Sequence, residues 1–165
     1  LCGNIGHGFN FTIIHAVCLL SDLQRREENA LMRMEWDRYA LNLAEAASLR
    51  SQDPYVKVGA CALDYDHRVL SVGYNGLASG VDPPEDFWAN RETRRKFMLH
   101  AEANCLSLFC AGECEILAVT LLPCSYCATL IAGYQISKVI YKDLYKRDTN
   151  SLEIFEFYGI DCCRI

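Results

Sequence analysis

One pattern constrains this chain more than any other: His100-Ala101-Glu102, followed by Pro123-Cys124-Ser125-Tyr126-Cys127. An imidazole and two thiols spaced C-x-x-C supply three ligands to a tetrahedral zinc and leave the fourth position open for water, as catalytic zinc sites require. Taken alone, a C-x-x-C is often a structural half-site or a redox pair, and a His at a helix start is often a capping or core residue. Their conjunction with a neighbouring carboxylate is more specific. Both ligand sets are expected in the first turns of two helices with one strand between them. There the helix N-termini favour thiolates at Cys124 and Cys127, and Pro123 suits the position just ahead of the second helix. Glu102 lies two residues beyond His100, near enough to reach the open side of the metal without ligating it. A carboxylate there can take a proton from water whose pKa zinc lowers to about 7. A closed structural site would need a fourth protein ligand instead.

The surrounding pattern predicts an α/β fold. Trp36, Ala40, Leu43 and Ala47 recur at helical spacing, giving a helix from residue 35 to about 50 that the Asp53-Pro54 pair breaks. Segments 56–63 and 69–74 read as two strands of an antiparallel hairpin, joined by a polar turn at 64–67. Asn75-Gly76 opens a loop through Pro83 and Pro84, and a charged helix over 87–96 follows. Beyond it the chain alternates: helix 100–109, strand 116–121, helix 125–133, strand 138–141, helix 150–158 and strand 161–165. Such alternation predicts parallel strands covered by helices on both faces.

With 165 residues the chain has room for one domain with a core of its own. Its ten cysteines show no spaced pairs of the kind a small secreted scaffold uses, and read as reduced thiols in a cytoplasmic protein. The formal net charge of -5 opposes binding of a polyanion such as tRNA or duplex DNA, so no nucleic-acid partner is expected. A small anion remains a suitable ligand, since it needs only a local cationic pocket. The apolar run at 9–20 is too short to span a bilayer and no Lys or Arg precedes it, so neither a membrane span nor a signal peptide is expected. Residues 1–31 read as an N-terminal extension, or as sequence upstream of the true start, ahead of a domain over 32–165.

The H-x-E and P-C-x-x-C pair is the signature of zinc deaminases. From Trp36 onward the chain resembles the cytidine and deoxycytidylate deaminases, and most of all their deoxycytidylate (dCMP) branch. The resemblance is carried by Arg50-Ser51-Gln52-Asp53-Pro54, Val58-Gly59-Ala60, Gly73-Tyr74-Asn75-Gly76, His100-Ala101-Glu102-Ala103-Asn104, Pro123-Cys124 and Cys127-Ala128. It implies a three-layer α/β/α fold with a central mixed five-stranded sheet, one Zn2+ per chain on His100, Cys124 and Cys127, and Glu102 as the proton shuttle. It further implies substrate contacts from Arg50, Ser51, Asn75, Ala101 and Tyr126, with Asn75 at the sugar and Arg50 and Ser51 near the phosphate. The activity implied is hydrolysis of dCMP to dUMP and ammonia; cytidine, dCTP and tRNA adenosine deamination, or a silent zinc module that binds nucleotides, are the alternatives. A homo-oligomer, often a hexamer, with dCTP activation and dTTP inhibition, also follows from the resemblance. Two departures stand out: Ala78 where the family often has Pro, and Ser125-Tyr126 inside the cysteine pair. Some members carry a second metal site in the loop before the catalytic His, but 76–99 holds no Cys or His here.

Several of these residues also have a plainer reading. Arg50 suits a solvated helix end, and Asn75 suits a turn position with positive φ. Arg91, Arg94, Arg95 and Lys96 form either a positive rim or a wet helix face. Cys61, Cys105 and Cys110 fall in the apolar pattern and are expected to be buried and inert, while Cys162 and Cys163 should project to opposite faces of their strand.

Overall fold

The structure, a computed structural model, describes residues 33–165; the extension over 1–31 and its apolar run at 9–20 lie outside the described residues. In order, the elements are α1 (Trp36–Ser48), β1 (Gly59–Asp64), β2 (Val69–Tyr74), α2 (Arg91–Phe97), α3 (Ala101–Leu106), β3 (Cys114–Leu121), α4 (Ser125–Gly133), β4 (Lys138–Asp143), α5 (Asn150–Tyr158) and β5 (Asp161–Arg164). The strands form one sheet in the order β2-β1-β3-β4-β5. β1 runs antiparallel to both β2 and β3, whereas β3, β4 and β5 are mutually parallel. The sheet is therefore mixed and five-stranded, as the resemblance implied.

The alternation of side chains along each strand builds two cores. Ala60, Ala62, Leu117, Val119 and Val139 meet Ala101, Cys105, Ala128, Ile131 and Phe155 on one face, beneath α3, α4 and α5. Cys61, Leu63, Ile116, Ala118 and Ile140 meet Ala40, Leu41 and Ala44 of α1 on the other. Cys162 packs against the first cluster and Cys163 against the second, so the adjacent pair does face opposite ways. Cys110 is a correction: it is exposed in the turn after α3, because that helix ends at Leu106 and the apolar spacing no longer points inward. Among the described residues no helix is long and apolar enough to cross a membrane.

β1 begins at Gly59, later than the expected 56, for an identifiable reason. The Asn75 side chain replaces the ladder there: Val58 N donates to its Oδ1 at 2.7 Å and its Nδ2 donates to Val56 O at 2.9 Å. Asn75 has no positive φ; among the described non-glycine residues only His67 and Gln135 do. It is held by these side-chain bonds and not by the left-handed tolerance that a turn Asn suggests.

Gly73 lets α3 approach the sheet. A Cβ there would lie 2.4 Å from Ala101 O and 2.5 Å from Cys105 N, contacts that backbone atoms cannot relieve locally. The same approach lets Ser71 Oγ donate to Cys105 O at 2.9 Å and Asn104 Nδ2 donate to Tyr74 O at 3.0 Å. Gly73→Ala is therefore expected to lower unfolding free energy by about 3 kcal/mol, the upper range for overpacking a close contact. Urea unfolding checks this; a loss below about 1 kcal/mol would mean that α3 shifts freely on β2.

Candidate active site

Because β1 alone runs against the other strands, the carboxyl ends of β2, β3 and β4 share one edge of the sheet. Open α/β sheets bind ligands at such an edge. Here it carries a cavity of about 250 Å³, with Asn75 after β2, Leu121, Leu122 and Cys124 at the end of β3, and Tyr145 and Arg147 after β4. The near wall comes from Val56 and Val58, and α2 with the start of α3 closes the remaining side through Arg94, His100, Ala101 and Glu102.

His100 and Cys124 occupy equivalent places, as N-caps of α3 and α4, and neither side chain caps its helix. That removes the capping explanation for His100. The entry of the chain into His100 is fixed by paired backbone bonds between Gly76 and Leu99, at 3.1 and 2.8 Å. His100 Nδ1 lies 3.2 Å from Cys127 Sγ and 3.6 Å from Cys124 Sγ. A tetrahedral zinc with ordinary N and S bond lengths sets ligand nitrogen and sulfur about 3.6 Å apart, so the donors need only small adjustment. All three ligand atoms lie within 4.8 Å of one another, and no other group of three or more metal-binding side chains occurs among the described residues. The donor set fits a single Zn2+.

The electrostatics agree. The hydrogen bond from Cys127 pushes the Cys124 thiol down to about 4, while Cys127, as the donor, is raised. His100 is raised chiefly by its hydrogen bond with Cys124. A metal cation competes with the protons that these three groups share, which makes its binding pH-dependent. Glu102 sits in the first turn of α3, 4% exposed, and burial pushes its carboxyl above the usual carboxylate range. It faces the same cavity as His100 and Cys124.

The structure thus brings together His100, Cys124, Cys127, Glu102, Ala101 and Asn75. It does not bring Arg50, Ser51 or Tyr126 to the cavity wall. Arg50 is exposed beyond the end of α1, in a turn where its N donates to Ala47 O at 3.0 Å. Ser51 is buried, with Oγ accepting from Asp53 N at 3.2 Å, so its hydroxyl shapes the turn that follows α1. Tyr126 is 73% exposed and borders an adjoining surface groove with His100 and Cys124.

Cations come from elsewhere. Arg91, Arg94, Arg95 and Arg147 all line the cavity. Arg94 is buried over the Tyr55 ring, 4.1 Å from its centroid, and pairs with Asp53 at 3.4 Å, so its charge is largely offset. Arg91 and Arg95 share Glu92, and Arg147 makes no ion pair among the described residues. Of the expected rim, Lys96 alone stays off the wall. Tyr145 and Arg147 are wall residues that sequence reasoning missed: no motif surrounds them, and the strand order brings their loop here.

The profile of the cytidine and deoxycytidylate deaminase zinc-binding region matches residues 34–143. A probable deoxycytidylate deaminase of Drosophila melanogaster is 30% identical over 78% of this chain and 70% of its own length. The deoxycytidylate deaminase of Mycobacterium phage D29 is 38% identical over 67% of this chain and 97% of its own. This chain spans 54 to 65% of the length of longer nematode, orangutan and human relatives. Among solved structures, the dCMP deaminase of cyanophage S-TIM5, in complex with dCMP and dUMP, superposes with a TM-score of 0.67 at 27% identity, covering 81% of this chain and 100% of that one. With its metal ligands converging at the helix starts and a buried glutamate beside them, the chain belongs to the cytidine and deoxycytidylate deaminase zinc superfamily and groups with its deoxycytidylate branch.

Proposed function

We propose that this zinc-dependent hydrolytic deaminase converts dCMP and water to dUMP and ammonia. The observation that carries the reading is a buried carboxyl, Glu102, beside the His100, Cys124 and Cys127 ligand set in a cavity whose outer wall is rich in arginine. Bound zinc supplies the Lewis acidity that lets water ionise near neutral pH. Glu102 takes the water proton, delivers it to N3 of the cytosine as C4 is attacked, and then helps protonate the departing amine. Its burial suits a group that must hold a proton between these two transfers. Asn75 uses one acceptor site and one N–H on Val58 and Val56, which leaves its second N–H for a sugar hydroxyl.

The 5'-phosphate is assigned to Arg147, with Arg91 and Arg95 beside it, in place of Arg50. Arg147→Ala is expected to lower kcat/KM for dCMP by about 30-fold, which corresponds to about 2 kcal/mol for one charge-assisted hydrogen bond. Deoxycytidine turnover should stay within about two-fold, and Arg50→Ala should change neither substrate. Equal losses on nucleotide and nucleoside would remove Arg147 from phosphate binding. The reading as a whole is tested by ammonia release from cytidine, dCMP, CMP, dCTP and adenosine. dCMP should be fastest, and a preference for unphosphorylated cytidine would overturn it. A homo-oligomer of hexameric order, with dCTP and dTTP as opposing effectors, belongs to the same reading and is checked by light scattering with and without each nucleotide.

A further inference from the structure

The loop between β4 and α5 contributes Tyr145 and Arg147 to the cavity wall. Its next residue, Asp148, is bonded to a different element. Asp148 Oδ2 accepts Ser125 N at 2.8 Å, and Ser125 Oγ donates to Oδ1 and Oδ2 at 2.6 and 2.8 Å. Ser125 is the first residue of α4 and follows the ligand Cys124 directly, whose own side chain leaves that helix uncapped. Asp148 Oδ1 also accepts Asn150 N at 3.3 Å at the start of α5, and Asp148 N donates back to Tyr145 O at 3.2 Å.

One carboxylate therefore joins the turn that bears Cys124 and Cys127 to the loop that bears Tyr145 and Arg147. We propose that Asp148 is a positioning residue for substrate: its bonds to Ser125 hold the Arg147 side of the cavity in register with the metal-bearing turn. The arrangement is strong for its size, because charge-assisted bonds to an N–H and a hydroxyl are the short, stiff kind, and an anion is favourable at a helix N-terminus. The Ser125 hydroxyl and N–H also hold the Asp148 carboxyl below the usual carboxylate range, so it stays ionised at neutral pH. A bare helix cap would stabilise α4 without affecting how tightly a nucleotide binds. A register device makes the contribution of Arg147 depend on Asp148.

The inference rests on the reading that this cavity takes a 5'-phosphate, and a double-mutant cycle on the full zinc-loaded chain separates the two. The readouts are calorimetric binding of dUMP and of deoxyuridine, KM and kcat for dCMP, and zinc content. Asp148→Ala should weaken dUMP binding and raise KM about 10-fold, with kcat within about three-fold and zinc near one per chain. In the Arg147→Ala background the same change should weaken dUMP binding less than two-fold. Asp148→Asn, which keeps an acceptor for Ser125, should recover most of the loss. If Asp148→Ala does not fold, Ser125→Ala removes only the hydroxyl bonds and should show the same dependence on Arg147. Losses that add in full across the two backgrounds, or a fall in kcat or zinc content with KM unchanged, would overturn the role of Asp148. A parent protein that binds dUMP and deoxyuridine equally would overturn the phosphate reading instead.

Discussion

Glu102→Gln is expected to lower kcat for dCMP by about 10³-fold or more while zinc stays near one per chain. The amide has the shape of the carboxyl but can neither accept a proton from water nor hand one on. General acid-base catalysis by one group is worth about 10² to 10⁴, and Glu102 is asked to serve at two successive transfers. Among the described residues its surroundings offer no substitute acid: Asp53, the other acid they place on the cavity wall, is tied to Arg94 and to the backbone N–H groups of Tyr55 and Val56. The fold should not suffer, since burial already disfavours the charged form of Glu102 and a neutral amide removes that penalty. Thermal melting, metal analysis and single-turnover kinetics together make the check. A variant within a few-fold of the parent would mean that another group moves the proton, and a variant without zinc would make Glu102 a determinant of metal binding.

The metal site was legible in the sequence because its spacing is local to two helix starts. His100 and Cys124 each stand immediately before a helix, and the strand between them returns the chain to the same sheet edge. α4 and α5 begin and end where their patterns do, at Ser125–Gly133 and Asn150–Tyr158. α5 stops where Gly159 takes φ 68 at the left-handed cap. The start of β1 was not legible, because the rungs at Val56 and Val58 are made by a side chain, Asn75, contributed from across the sheet. The arginines of the cavity wall were not legible for a related reason. Arg50 belongs to a recognisable motif, yet it ends exposed beyond α1. Arg147 has no motif around it, and only the parallel register of β3 and β4, with Leu121 opposite Asp143, carries its loop to the cavity. Periodicity reports which face a residue takes; which loops meet at a sheet edge depends on strand order, and a single sequence does not state it.

Cys127→Ala is expected to abolish both zinc retention and activity, with zinc after dialysis falling from near one per chain to less than about a tenth. Three protein ligands hold the ion, and Cys127 is the most buried of them, with its Sγ 3.2 Å from His100 Nδ1. Two remaining ligands give up the chelate geometry that makes tetrahedral zinc tight. Folding should persist, because the cores beneath α3 to α5 and beneath α1 are closed by apolar side chains and do not depend on a metal cross-link. The cost in stability is that of a small cavity in the first turn of α4, about 1 kcal/mol. Treating the parent with a chelator should reproduce the loss of activity, and added zinc should restore it in the parent but not in the variant. The pH at which the parent releases zinc is a second measure of the same site. Acid returns protons to the imidazole and thiolates that the cation displaced, so retention should fall as pH is lowered. A Cys127→Ala protein that keeps stoichiometric zinc would show that the ion is held by other residues, and the assignment of this cluster as the metal centre would fail.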